Sequence, residues 1–175
     1  MNISLSPLTQ EDVSALASLA NNPQITMWVR DIFPSPYSDQ DAINFLDYLA
    51  TQQPLTTFGI RYEAKLVGVC GLVLQGDIFR KSAEIGYWLG EPFWGKGIAK
   101  EAVKLLCKWG FEELGLVRIY GGVFSANTSS MRVLEKAGFH LESVAKKALV
   151  KRGEIYDDYI FRMTVDEWEN LNKNL

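Results

Sequence analysis

Between Glu84 and Ala99 the chain reads EIGYWLGEPFWGKGIA: an apolar run of strand formers, a proline, a turn with two glycines around a lysine, and the start of an amphipathic segment. Ile98, Ala102, Leu105, Leu106 and Trp109 recur at the spacing of one helical face, so a helix is predicted to follow the turn. The first turn of a helix leaves backbone N–H groups without intrahelical partners and carries a partial positive charge. Gly95 and Gly97 have no side chains to hold an anion away from the main chain, and Lys96 adds a mobile positive charge. The junction therefore reads as a bend that grips a phosphorylated ligand. An ordinary tight strand-to-helix turn would carry the same two glycines.

Two other phosphate loops differ from it at defined positions. Gly90, Gly95 and Lys96 match the first fixed positions of a P-loop, but Gly97 stands where that loop needs a hydroxyl to hold magnesium. This argues against a nucleotide hydrolase. Gly95 and Gly97 also begin a dinucleotide fingerprint, yet Lys100 occupies the place of its third glycine, where a side chain spoils helix packing on the sheet.

The segment resembles the acyl-CoA pyrophosphate loop of the GNAT acetyltransferases, whose pattern is Gln or Arg, two residues, Gly, one residue, then Gly or Ala. Gly97 and Ala99 fill the last two positions, and Trp94 replaces the Gln or Arg, a departure common in the RimJ/RimL-type branch. Asn127 and Ser130 in NTSSMRVLEKAGF are similar to the Asn-x-x-Ser helix and Gly-Phe exit of that branch. The resemblance runs from about Leu5 to Met163. It implies a mixed α and β domain over residues 1–175, with a central twisted sheet of about seven strands and helices on both faces. It also implies acetyl-CoA as cosubstrate, bound at Trp88, Leu89, Trp94, Gly95, Lys96, Gly97, Ile98, Ala99, Asn127 and Ser130.

Composition narrows the partners. At 175 residues with 47% hydrophobic content the chain is expected to form one domain with a substantial core. A formal charge of -3 supplies no basic footprint for nucleic acid or an anionic membrane, and mild acidity suits a cationic amine. No apolar run approaches the roughly 20 residues of a membrane span, and MNISLSPLTQ lacks the pattern of a signal peptide, so a cytoplasmic enzyme is expected. Cys70 and Cys107 are neither paired as CxxC nor spaced near His140, which leaves no metal site and reads as two free thiols. Cys107 is placed opposite the apolar stripe of its helix, as a second-face packing residue or a reactive thiol. His140, at a strand start, reads as solvated or locally bonded. Monomer and homodimer both stay open.

Along the chain, Ile3 and Leu5 mark a first strand, and Thr9 with Asp12 forms a capping signature ahead of a helix through Val13, Leu16, Ala17 and Ala20. Pro23, Pro34 and Pro36 punctuate a loop carrying Met27, Trp28, Ile32, Phe33 and Tyr37, which either packs as a lid or lines an acceptor pocket. Ser38 with Asp41 opens a second helix. Strands are predicted for Thr57 to Glu63, Leu66 to Leu74, Ala83 to Leu89 and Val117 to Phe124. A helix capped by Asn127 and ending near Gly138 precedes a hairpin of Leu141 to Val150 and Glu154 to Met163. By the resemblance, the strands holding Tyr87 to Leu89 and Val117 to Phe124 splay, and pantetheine amides satisfy the groups left between them.

Acetyl transfer needs a neutral nucleophile. An α-amino group with pKa about 7.7 to 8.0 is appreciably neutral near pH 7.4, whereas a lysine-like amine near 10.4 costs roughly 4 kcal/mol to deprotonate there. Glu84, on the same strand face as Gly86 and Trp88, is the candidate base, directly or through water; a surface or ion-paired glutamate is the alternative. A backbone N–H near Trp88 or Leu89 would hold the thioester oxygen. The resemblance offers Ser130 as the acid for the thiolate, while Leu134 stands where some relatives have Tyr. Tyr156, Asp157, Asp158 and Tyr159 either recognise a cationic acceptor or serve cross-strand pairing. The expected activity is N-acetylation of a primary amine, either a protein N-terminus or a small amine or polyamine, by direct attack in a ternary complex. A non-catalytic acyl-CoA-binding or sensing module is the alternative.

Overall fold

Helices in this chain begin where side chains can take up their first N–H groups. Thr9 and Asp12 form a capping box, the Thr9 N–H donating to Asp12 Oδ2 at 2.8 Å, and a single 3-10 turn at Gln10–Asp12 leads into α1 (Val13–Ala20). Asn22 accepts from the Gln24 N–H at 2.8 Å to start α2 (Pro23–Thr26). Ser38 and Asp41 form a second capping box ahead of α3 (Asp39–Ala50). These two boxes are the ones expected from sequence. The short α2 lies in the stretch read as a loop, because a proline at the first helical position looks the same as a loop proline.

The computed structural model describes residues 2–173. They pack as two compact units: residues up to Gly71 with Tyr87–Ala102, and Leu72–Gly86 with residues from Val103 onward. Seven strands, β1 (Ile3–Ser6), β2 (Thr57–Tyr62), β3 (Lys65–Leu74), β4 (Ser82–Leu89), β5 (Arg118–Phe124), β6 (His140–Lys151) and β7 (Glu154–Thr164), form one mixed sheet in the order β1-β2-β3-β4-β5-β7-β6. The other helices are α4 (Ile98–Lys108), α5 (Thr128–Ala137) and α6 (Val165–Lys173).

In the first unit β1 and β3 pair antiparallel with β2, whose turn to β3 holds Glu63 and Ala64 at positive φ. Leu16, Ala17 and Ala20 of α1 and Ala42 and Leu46 of α3 pack with Leu66, Val69 and Tyr37. A buried leucine here contributes about 1.5–3 kcal/mol. Asp12 joins this packing to the sheet through two bonds from Arg61, at 2.6 and 2.8 Å. The proline-rich segment divides: Tyr37 is buried and Phe33 packs edge-on against Trp88 at 5.9 Å, whereas Ile32 is 90% exposed. Burial, with Asp41 nearby, pushes the Tyr37 phenol up to about 12.

In the second unit β5 pairs antiparallel with β7 along its whole length, from Arg118↔Thr164 to Phe124↔Asp158, and β6 with β7 forms the terminal hairpin. Its parallel ladder with β4 is much shorter: Ser82↔Arg118, Ala83↔Ile119 and Glu84↔Tyr120. Helix α6 was absent from the expected element order. Thr164 and Glu167 form its start, with the Thr164 N–H and Oγ1 both donating to Glu167 Oε2.

The face expected for α4 is displaced. Ile98, Ala102, Val103, Leu106 and Cys107 are buried while Leu105 is 37% exposed, so Cys107 belongs to the buried stripe and not to the opposite side. The expected face included Leu105, whereas buried Val103 and Cys107 complete the observed stripe. Both cysteines are buried thiols outside any disulfide, and burial pushes the Cys70 thiol up.

Candidate active site

The glycine bend is built from the end of β4. The Gly90 N–H donates to the Val67 carbonyl at 2.9 Å, and Gly68 lets the strand come close: a Cβ there would sit 2.2 Å from the Trp88 carbonyl oxygen. A 3-10 turn at Glu91–Phe93 follows, and Trp94 Nε1 donates to the Leu89 carbonyl at 2.8 Å. Trp94 thus fastens the bend to the strand it leaves, a local role for the residue that replaces Gln or Arg. Its ring is 43% exposed.

Gly95 and Gly97 have φ of 73° and 77°, where L side chains are strained, and a Cβ at either would meet nothing within 4 Å. The room beside the main chain is therefore open. Lys96 is exposed, its ammonium 5.6 Å from the Phe93 ring centroid, and buried Ile98 anchors the helix start. The Glu101 N–H bonds back to the Gly97 carbonyl at 3.3 Å, so the amides before it face the bend. Ala99 is half-buried and small, Leu89 is buried, and half-buried Trp88 stacks its edge against Phe33. This cradle fits a diphosphate.

The remaining site residues lie in the second unit. Glu84 is half-buried at the last rung of the β4–β5 ladder; Ala83 and Ile85, on the opposite face, are buried. Asn127 is the cap of α5, its Oδ1 accepting from the Ser130 N–H at 3.2 Å, which brings these two residues together. Gly138 closes the helix at φ 102°. Tyr156 meets Phe124 edge-on at 5.6 Å, and Tyr159 is half-buried. Asp157 pairs with Lys146 at 3.0 Å and accepts from the Lys147 N–H at 2.8 Å; these bonds, the backbone one first, hold its carboxyl below the usual range. That is the cross-strand pairing expected from its strand setting. His140 is exposed, 3.9 Å from Glu167.

One polar network was not foreseen. Arg118 clasps Glu142 with bonds of 2.6 and 2.8 Å, Arg162 reaches Glu142 at 3.5 Å and also bonds Glu167, and Arg118 lies 5.3 Å from the Tyr120 ring centroid. The Thr-x-x-Glu spacing of Thr164 and Glu167 was the available signal. Among the described residues no group of three or more His, Cys, Asp or Glu is arranged to hold a metal, and no helix is long and apolar enough to cross a membrane.

Known proteins similar to this chain point one way. An uncharacterized N-acetyltransferase p20 of Bacillus licheniformis is 30% identical over 172 residues, covering 95% of this chain and 94% of the relative. The RimJ protein of Mycobacterium smegmatis, solved with a CoA disulfide, superposes with a TM-score of 0.84 at 24% identity, covering 98% of this chain and 88% of that one. The microcin C7 self-immunity acetyltransferase MccE, solved with acetyl-CoA and AMP, superposes with a TM-score of 0.79 at 27% identity, covering 93% and 92%. The acetyltransferase (GNAT) domain family matches residues 2–140, a span that holds the glycine bend, Glu84 and the Asn127 cap. The chain is an acetyltransferase and belongs to the GNAT family.

Proposed function

We propose that this enzyme uses acetyl-CoA to acetylate a primary amine by direct attack in a ternary complex, with residues 1–175 acting as one catalytic domain in the cytoplasm. The observation that carries the reading is the pair of positive-φ glycines with open space beside them at the start of α4. Main-chain amides from Gly95 to Ala99 would hold the diphosphate, with the Lys96 ammonium as counter-charge. Bound acetyl-CoA supplies the activated acyl group.

Glu84 accepts the proton that leaves the amine as its nitrogen bonds to the acyl carbon. A backbone N–H at Trp88 or Leu89 donates to the oxygen that gains charge. The C–S bond then breaks, and the thiolate leaves with a proton from Ser130 or from water. The acceptor class is an amine, as for relatives that modify proteins or small molecules.

Titration calorimetry with coenzyme A and thiol release with an amine panel test the reading. Glu84→Gln is expected to lower kcat by 10²-fold or more, a typical general-base effect, while coenzyme A affinity is kept. Full turnover by that variant removes Glu84 from the role, and absence of coenzyme A binding by the native protein removes the whole reading.

A further inference from the structure

A helix cap needs one side-chain acceptor, and Asn22 carries a donor besides. Its Oδ1 accepts from the Gln24 N–H at 2.8 Å, and its carbonyl accepts from the Ile25 and Thr26 N–H groups at 3.0 and 3.1 Å, which fixes it at the start of α2. The other end of the same side-chain amide, Nδ2, donates to Glu91 Oε2 at 2.6 Å, across 69 residues of chain. Asp would cap α2 as well as Asn does, but it would set a second carboxylate against Glu91.

Glu91 begins the 3-10 turn that carries the chain from β4 to the glycine bend. Its main-chain carbonyl accepts from the Trp94 N–H at 3.1 Å. Gly90, just before it, has no room for a side chain, because a Cβ there would lie 2.5 Å from Leu19 Cδ2 of α1. Past that contact the turn and the helices part around a cavity of about 370 Å³. Ser18, Leu19, Asn21 and Asn22 form one wall, Glu91 and Pro92 the other, and the Asn22–Glu91 bond joins the two. A series of hydrogen bonds thus runs from the α2 backbone through Asn22 and Glu91 to Trp94, the residue before Gly95.

Resting on the reading of the bend as the diphosphate site, we propose that Asn22 and Glu91 are positioning residues for coenzyme A. Their bond straps the bend in its ligand-ready shape, so that less of the binding free energy goes into ordering it. The charge of Glu91 by itself would work against a diphosphate, since like charges repel. Removing the carboxylate therefore tightens binding if charge governs and loosens it if the strap governs.

Titration calorimetry with coenzyme A on the full chain makes the test, and the native protein is expected to bind. Asn22→Asp keeps the α2 cap, so its thermal midpoint stays near native, but two carboxylates meet and affinity is expected to fall about fivefold to tenfold. Glu91→Ala, which loses the bond and a negative charge together, is expected to fall by the same factor, and its sign carries the test should Asn22→Asp fail to fold. The exchanged pair, Asn22→Asp with Glu91→Gln, sets acceptor and donor facing again in reversed order and restores affinity to within about twofold. Undiminished affinity in either folded single variant, or tighter binding by Glu91→Ala, overturns the proposal and leaves the coenzyme A reading intact. Weaker binding that the exchanged pair does not restore overturns it as well, since the loss then belongs to general damage. A native protein that binds no coenzyme A overturns both the proposal and the reading it rests on.

Discussion

Helices α4 and α5 start in opposite ways. At α5 the Asn127 side chain takes up the Ser130 N–H, so one first-turn donor is satisfied within the chain. At α4 the preceding residue is Gly97, with no side chain to turn back and open space beside it. On the reading proposed above, the contrast teaches that a helix start preceded by glycine leaves its first amides for a ligand. The conformational cost is met with glycine at positive φ, and the Trp94 to Leu89 bond keeps the uncapped bend in shape.

Giving α4 the kind of carboxylate cap that opens other helices is the strongest attack on this contrast. Gly97→Asp tolerates positive φ better than most residues, and its carboxylate would occupy the amides and repel a diphosphate. Coenzyme A affinity is expected to fall about 100-fold, close to 3 kcal/mol, by calorimetry, with little change in thermal midpoint. Unchanged affinity would mean that the bend is only a turn.

Next in size is Gly68→Ala, which puts a methyl group against the Trp88 carbonyl under the bend. Overpacking against backbone costs about 1–3 kcal/mol, read as a lower urea midpoint with unaltered slope. Asn127→Ala should lose about 1 kcal/mol of stability, and Asn127→Gly only a few tenths. If both variants lose coenzyme A affinity while remaining stable, α5 too serves a ligand and the contrast softens.

The smallest effect concerns a third helix start. The Arg61 guanidinium, then the Thr9 N–H, holds the Asp12 carboxyl below its usual value against the opposing effect of burial. A carboxyl with a lowered folded pKa adds stability that is present above the unfolded value of about 3.9 and is lost as pH falls through the folded pKa. Melting curves taken across that acid range should fall less steeply for Arg61→Gln than for the native protein.

Much of the fold could be read from local chemistry: the Thr9–Asp12 and Ser38–Asp41 boxes, the glycine exit at Gly138, and strand formers in runs. What escaped depended on tertiary context. The four residues Pro23–Thr26 carry no periodicity to mark a helix, and the Thr164–Glu167 signature starts at the end of a strand. The α4 face was misplaced because the sequence fits more than one stripe, and packing buried Val103 and Cys107 rather than Leu105. Within the site, the bend was legible because its chemistry is local to the main chain. The pairing of Asp157 was not, since it follows from the bulges in β6.

Strand β6 closes one side of the sheet, with pairing shifts at Leu141/Ser143 and Ala145/Leu149 and with Lys146 and Lys147 inside the second. An outer strand that kinks twice and carries ammonium groups is a poor template for ribbon growth. Crowded copies of this protein should therefore resist fibril formation along that border.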